Sequence, residues 1–400
     1  MTRLLYILTG LVPPDSDPSR DKFHYLSELC EGEILLPVWW GASDEASPYL
    51  KNSFPIHRAD RFCYHMFLFH RAPRFYRKIA TFFWYVSCGI KLHRENKIDV
   101  IVTYGTNMPA VAGMILKWLT GAKLVVEIPG VPENAFRYDE PNQGKLAAVK
   151  RFFADRLLNF VGRASDCFKL LYPWQLQDYP GLQKKNAAIF HDFVPVRCVQ
   201  LTAKEERFIL CVGHPWYTKG VDILIRAFKT IMRQYPDYKL KLMGYYPDRQ
   251  LLDELAQGCP QIEFLVPRPN ELALKIISAC TIYVSASRTE GMGRVLLEAM
   301  AAGRPIIASN VGGVPHYISD DDNGLIFSPG NVEDLAAKMV RLLSDKELRT
   351  RLGQKGHQRV FSEFDEMSYV RAFRRMLQSI QIESVNRGSE IESKYIGGKT

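Results

Sequence analysis

The sequence predicts an α/β protein made of two doubly wound parallel-sheet domains facing a cleft. Three observations carry this expectation. Short β-branched and apolar runs alternate with runs of helix formers along both halves, the pattern of strand–helix–strand units. Glycine or proline follows most of the strand runs, where a chain must turn into its crossover helix. The 400 residues, 47% hydrophobic and 24% charged, suit two globular domains of ordinary size, each able to bury a core.

Residues 3–9 read as the first strand, closed by Gly10, and residues 20–30 as a helix. A second strand is expected at 34–40. In residues 56–97, Arg58, Arg61, Arg77, Lys78, Lys91 and Arg94 alternate with many aromatic residues, and only Asp60 and Glu95 oppose the charge. Ile79, Phe82, Phe83, Val86 and Ile90 recur at helical spacing, so one face of this helix is apolar. Two readings stay open: an interfacial helix meeting anionic lipid, or a stripe that packs on its own sheet beneath a solvated basic face. Strands at 99–104 and 123–128 flank a helix over 110–119 capped by Gly121. A basic amphipathic helix covers 146–161, strands follow at 167–171 and 187–190, and residues 195–206 read as a linker. The second domain opens with a strand at 208–212 and a helix from Val221, with further strands at 240–243 and 262–266.

The second domain is organised around residues 280–303. Cys280 to Ser287 is a buried-strand run, Glu290-Gly291-Met292-Gly293 is a glycine-bracketed loop, and Val295 to Ala302 is a run of helix formers before Gly303. A strand, tight loop and helix in this order put unpaired backbone N–H groups at the strand's carboxyl end, where they favour a phosphate. Glu290 lies in the loop, and Glu298 lies about one turn inside the helix. Two carboxylates flanking an anion site suit a sugar at one end of a diphosphate and a ribose at the other. An ordinary surface glutamate on an ordinary helix is the alternative.

This stretch resembles the Glu-x7-Glu motif of retaining GT-B-fold glycosyltransferases of family 4, the group 1 glycosyl transferases. The resemblance continues through Arg304-Pro305, Asn310 to Pro315, Asn323-Gly324 and Asn331 to Ala336. It is also present upstream at Gly213, Lys219-Gly220 and Ala227. It is specific over roughly residues 207–342; the first half matches only in layout. The resemblance implies a GT-B fold of two Rossmann-like domains. These are an acceptor-binding domain over residues 1–196, to which the helix at 363–381 returns, and a nucleotide-sugar-binding domain over 207–362, followed by a flexible tail at 382–400.

By resemblance, Lys219 and Glu290 are the catalytic candidates. The donor would be held by Gly213, His214, Lys219, Arg268, Glu290, Gly291, Met292, Gly293, Arg294, Val295, Leu296 and Glu298. Where His214 stands the family has an arginine, which carries more charge at neutral pH. On the acceptor side the candidates are Gly10, Thr106 and Glu127, since the first domain lacks the family's histidine between His93 and His191. Glu127 has a second reading, as the partner of a basic neighbour. The implied activity is transfer of a hexosyl group from a UDP- or GDP-sugar to a glycan or lipid-linked acceptor in surface polysaccharide or glycolipid assembly, without metal or cofactor. A sugar-nucleotide epimerase, a phosphorylase and a non-catalytic binding protein on the same scaffold are the alternatives.

Composition narrows the remaining classes. The net charge of +9 needs an anionic partner, and no recognition motif accompanies it, so nucleic acid is set aside. No apolar run is long enough to span a bilayer and no cleavable leader is evident, so a cytoplasmic place is expected, with an anionic membrane face as a candidate partner. Eight scattered cysteines without a Cys-x-x-Cys pair predict buried thiols rather than zinc or disulfides. Asp320-Asp321-Asp322 contains an Asp-x-Asp pattern but sits in a turn before Asn323-Gly324, so a solvated turn is expected there rather than a metal site.

Overall fold

The computed structural model describes residues 1–9, 18–39, 56–69, 73–130, 145–178, 186–199, 204–247 and 249–380. The chain divides into two compact units, one of residues 1–129, 153–190 and 367–400, the other of residues 130–152 and 191–366. Each contains a sheet, and the fold is the expected α/β one.

In the first unit the strands are β1 (Thr2–Ile7), β2 (Cys30–Trp39), β3 (Ile56–Ala59), β4 (Phe62–Phe69), β5 (Val100–Tyr104), β6 (Lys123–Glu127), β7 (Cys167–Leu170) and β8 (Ala187–Ile189). They lie in the order β3-β4-β2-β1-β5-β6-β7-β8. All neighbours are parallel except β3 and β4, an antiparallel hairpin at the edge. Its turn is only Asp60-Arg61, with Asp60 at φ 50°, a conformation that aspartate tolerates better than most residues. Two residues can reverse a chain but cannot return it parallel, so this pair departs from an all-parallel sheet. The helix expected over residues 20–30 shortens to α1 (Lys22–Leu26), because Cys30 pairs with Thr2 and already belongs to β2.

Helices α2 (Arg74–Glu95), α3 (Met108–Thr120) and α4 (Lys145–Ala164) contribute to one core on one face of this sheet. Tyr85 and Leu92 come from α2, Ala112 and Leu116 from α3, and Leu158 and Val161 from α4, packed against Leu5, Leu35, Ile101 and Val126. On the other face Tyr6 meets Phe23 at 4.9 Å and Phe373 at 6.4 Å, so α1 and the helix at 366–380 cover that side. A short helix, α5 (Gln175–Asp178), follows β7.

The second unit has a six-stranded sheet, ordered β11-β10-β9-β12-β13-β14 and parallel throughout. Its strands are β9 (Glu206–Val212), β10 (Lys239–Met243), β11 (Ile262–Leu265), β12 (Cys280–Ser285), β13 (Ile306–Ser309) and β14 (Leu325–Phe327). Its longer helices are α6 (Val221–Ile231), α7 (Gln250–Ala256), α8 (Asn270–Ala279), α9 (Arg294–Ala301), α11 (Val332–Ser344) and α12 (Lys346–Glu363), with α10 (Val314–Tyr317) a single turn. Leu224, Ile225 and Phe228 of α6 and Leu335 and Met339 of α11 are buried together on the face formed by Ile209, Leu242 and Ile282. The strand order turns back between β9 and β12. The crevice at their carboxyl ends is therefore the place where an open α/β sheet receives a ligand.

Candidate active site

The two loops leaving that crevice carry the residues singled out by the sequence. β9 ends at Val212 and leads to Gly213, His214 and Lys219 before α6, while β12 ends at Ser285 and leads to Ser287 and Glu290 before α9. The ammonium of Lys219 lies 2.7 Å from Glu290 Oε2. The same carboxylate oxygen accepts the Ser287 hydroxyl at 3.0 Å, and Ser287 is 3.1 Å from Ser285. The cation expected to hold a phosphate and the carboxylate expected to orient a sugar thus form a direct ion pair.

Below this pair the floor is neutral. Burial pushes the Cys211 thiol up to about 12, and burial raises the Tyr283 and Tyr317 phenols well above their ordinary range. The Glu290 carboxylate adds to the rise in all three, because each would become a second anion beside it. None of the three ionises at neutral pH, so the working charges are those of Lys219, Glu290, Arg294 and Glu298. Tyr317 closes α10 far along the chain, and its buried hydroxyl has no hydrogen-bond partner among the described residues. Ser287 and Tyr317 were not singled out by sequence. Ser287 stands three residues before Glu290 in the chain, whereas Tyr317 reaches the site only through the fold.

Helix α9 starts at Gly293, φ 66°, and no side chain caps its first N–H groups. A side chain at Gly293 would strike the Tyr317 hydroxyl and Leu296 at 2.8 Å, so a glycine is needed both for the conformation and for the space. The amides of Arg294, Val295 and Leu296 belong to this first turn. Glu298 is buried, and its Oε1 accepts the Arg294 Nε–H at 3.1 Å. Met292 is buried, and its sulfur accepts the Asp192 N–H at 3.2 Å. The Gly291 carbonyl accepts the Gly313 N–H at 2.9 Å, which ties the loop to the segment after β13.

His214 is exposed and donates Nδ1–H to the Tyr245 carbonyl at 2.6 Å. Nε2 is therefore its remaining atom for a ligand, and it donates only when the ring takes a second proton. Arg268 is exposed between β11 and α8. Arg288, beside the loop, forms a two-bond ion pair with Asp222 at 2.7 and 2.8 Å, and its guanidinium lies 4.0 Å from the centre of the Tyr217 ring. It ties the Lys219 loop to the Glu290 loop. Removing it strands the Asp222 carboxylate, and Arg288→Ala is expected to cost about 2–3 kcal/mol of stability, read by denaturant unfolding.

The other expected residues lie elsewhere. Gly10 falls outside the described residues. Thr106 is buried in the turn between β5 and α3. Glu127 is 1% exposed at the end of β6, accepts the Tyr6 hydroxyl at 2.6 Å and has the Lys22 ammonium 3.9 Å away. It has the basic neighbour the sequence allowed for, and it sits inside the first unit. His191 is buried against Phe364 and donates Nδ1–H to the Asp192 carbonyl at 2.8 Å. Asp320, Asp321 and Asp322 pair with Lys338, with Arg341 and Arg351, and with Lys355 respectively. Among the described residues, Glu33, Cys63 and His65 have donor atoms close enough for one metal ion, but His65 is already bonded to Glu33 at 2.7 Å. The eight cysteines are free thiols.

Residues 197–359 match the family model of the glycosyl transferases group 1, a stretch running from just before β9 through most of α12. An uncharacterised glycosyltransferase of Haemophilus influenzae is 32% identical over 168 residues, 41% of this chain and 46% of that protein. One from Methanocaldococcus jannaschii is 30% identical over 227 residues, 55% of this chain and 56% of that protein. The chain thus spans about half the length of these curated relatives. A sucrose-phosphate synthase from Thermosynechococcus elongatus superposes with TM-score 0.78 at 18% identity, covering 96% of this chain and all of that one. An Anabaena protein solved in complex with UDP-glucose superposes at 0.69 with 14% identity, covering 95% of this chain. The fold is GT-B, and residues 197–359 are similar in sequence to the glycosyl transferases group 1.

Proposed function

We propose that the protein is a retaining glycosyltransferase that moves a hexosyl group from a UDP- or GDP-sugar to a glycan or a lipid-linked sugar. The supporting observation is the Lys219–Glu290 pair at the switch point of the second sheet, beside the uncapped start of α9. The diphosphate of the donor takes the place of Glu290 as partner of Lys219 and accepts the first N–H groups of α9. Glu290, released from the lysine, accepts hydroxyls of the donor sugar. Glu298, held by Arg294, accepts the ribose hydroxyls. The bond between the anomeric carbon and the diphosphate oxygen breaks while an acceptor hydroxyl attacks on the same face. A phosphate oxygen takes the acceptor's proton. Lys219 and the helix start stabilise the charge that builds on the leaving diphosphate, usually the largest catalytic contribution. No metal is invoked, since these groups supply the positive field.

The similarity to two glycosyltransferases supports the reaction class, and the Anabaena complex supports a nucleotide-sugar donor. Assembly of surface polysaccharide or glycolipid is the setting proposed, in the cytoplasm at the inner face of the cell membrane. Thermal unfolding in the presence of a panel of nucleotide-sugars tests the donor site. One donor should raise the midpoint, since a ligand of the native state stabilises it, and Lys219→Ala and Glu298→Ala should each abolish that rise. A panel with no active donor would favour a non-catalytic scaffold, and turnover of a donor without any acceptor would favour an epimerase.

A further inference from the structure

Phe82, Val86 and Ile90 of the apolar stripe on α2 are partly buried against the core, but the helix also carries aromatic side chains that the core leaves uncovered. Thr81, Tyr85, Gly89 and Leu92 are the buried positions of this helix among the described residues, while Phe75, Tyr76 and Phe83 are 65–69% exposed. One hundred degrees per residue puts Phe75, Tyr76 and Phe83 within one 100° arc, with Tyr76 and Phe83 opposite Tyr85. The helix thus has one side on the sheet and exposed aromatic side chains outward. The neighbouring helices repeat the arrangement. Trp118 on α3 is 62% exposed, and on α4 Phe153 and Phe160 are 65% and 51% exposed. Trp118 and Phe160 meet edge to face at 6.5 Å, so the outward aromatics of α3 and α4 join. All three helices contribute their inner sides to one core on one face of the sheet, so their outer sides look the same way.

Charge decides what covers this face. Glu95 and Asp155 are the only acidic residues in the three helices, whereas Lys78, Lys91, Arg94, Arg156 and Arg163 are exposed on them. The centre of a protein–protein interface is depleted of charge. A lipid surface accepts exposed aromatics and an excess of Lys and Arg together, the rings at the headgroup boundary and the cations on anionic headgroups. No helix among the described residues is long and apolar enough to cross a membrane, which fits lying on a bilayer rather than spanning it.

We propose that the outer face of α2, α3 and α4 docks the protein onto an anionic lipid bilayer. The side chains named here all lie in the first unit, and the proposal holds independently of the donor chemistry of the second. The test is co-sedimentation of the full chain with vesicles of phosphatidylcholine, alone or mixed with phosphatidylglycerol. Binding is expected on the mixed vesicles and about tenfold or more weaker without the anionic lipid or at high salt. The triple variant Phe83→Ser, Trp118→Ser, Phe160→Ser, altered only at exposed positions, should lose about tenfold in vesicle binding while keeping its unfolding midpoint and any donor-induced shift. Brominated lipid should quench the emission of the unaltered chain more than that of Trp118→Phe. Equal binding to neutral vesicles, unchanged binding by the triple variant, or a dimer of the unaltered chain that the triple variant dissolves would each overturn the proposal. The last outcome would mean that a second copy covers the face.

Discussion

Lys219→Ala is expected to lower kcat/KM for the donor by about 10²- to 10³-fold, the usual consequence of deleting one pre-placed charge from a site where negative charge develops. The argument has two parts. The ammonium stands at the end of the loop between β9 and α6, 2.7 Å from Glu290, so its position is set by the fold. Deleting it also leaves the Glu290 carboxylate, 11% exposed and hydrogen-bonded to Ser287, as an uncompensated anion where a diphosphate must sit. The second part has its own signature. If Glu290 repels the diphosphate once Lys219 is gone, adding Glu290→Gln to Lys219→Ala should recover donor affinity relative to Lys219→Ala alone, even though Glu290→Gln by itself lowers kcat. Isothermal titration of the four proteins with the donor found by thermal shift measures this coupling. A double variant binding more weakly than Lys219→Ala would show that Glu290 contributes only attraction, and the proposed exchange of partners would fail.

Gly312→Ala is expected to destabilise the second unit by about 2–4 kcal/mol and to weaken donor binding with it. Gly312 has φ 50°, and a Cβ built there lies 1.7 Å from the Glu290 carbonyl oxygen. That neighbour is backbone, so it cannot step aside by changing rotamer. The Glu290 loop must move, and with it the partner of Lys219. For a unit of this size the midpoint should fall by roughly 5–10 °C. Gly330→Ala separates the two causes. Gly330 also has a positive φ, 79°, but its added Cβ would meet nothing within 4 Å. It should cost only about 1 kcal/mol and leave donor binding unchanged. Equal losses for the two variants would show that backbone conformation alone, and not the contact with Glu290, accounts for Gly312.

Much of the fold was legible because the local patterns were strong. β5, β6, β9 and β10 are β-branched or apolar runs ended by glycine, proline or a polar loop, and α6 has buried residues at helical spacing from Val221 to Ile231. The hairpin of β3 and β4 was not legible, because a pairing at a sheet edge is set by the neighbouring strand and a two-residue turn, not by the run itself. Helix α12 is not legible in the sequence for a different reason. It is polar along most of its length, and two of its buried positions are Gly353 and Gly356, with Gly353 packed against the Gly303 carbonyl, so it shows no apolar stripe.

The sequence by itself determined the two alternating halves and the strand–loop–helix that carries Glu290 and Glu298, since both follow from spacing within a few residues. Only the tertiary structure decided what those residues meet. It joined Lys219 to Glu290 across 71 residues and brought the Tyr317 phenol beside Gly293. It also turned aromatic side chains of α2 outward. The sequence shows that a helix has an apolar face, but which face is buried depends on the sheet beneath it. Residues far apart in the chain become neighbours only where strands line up, and here the return of the strand order between β9 and β12 brings their two loops together.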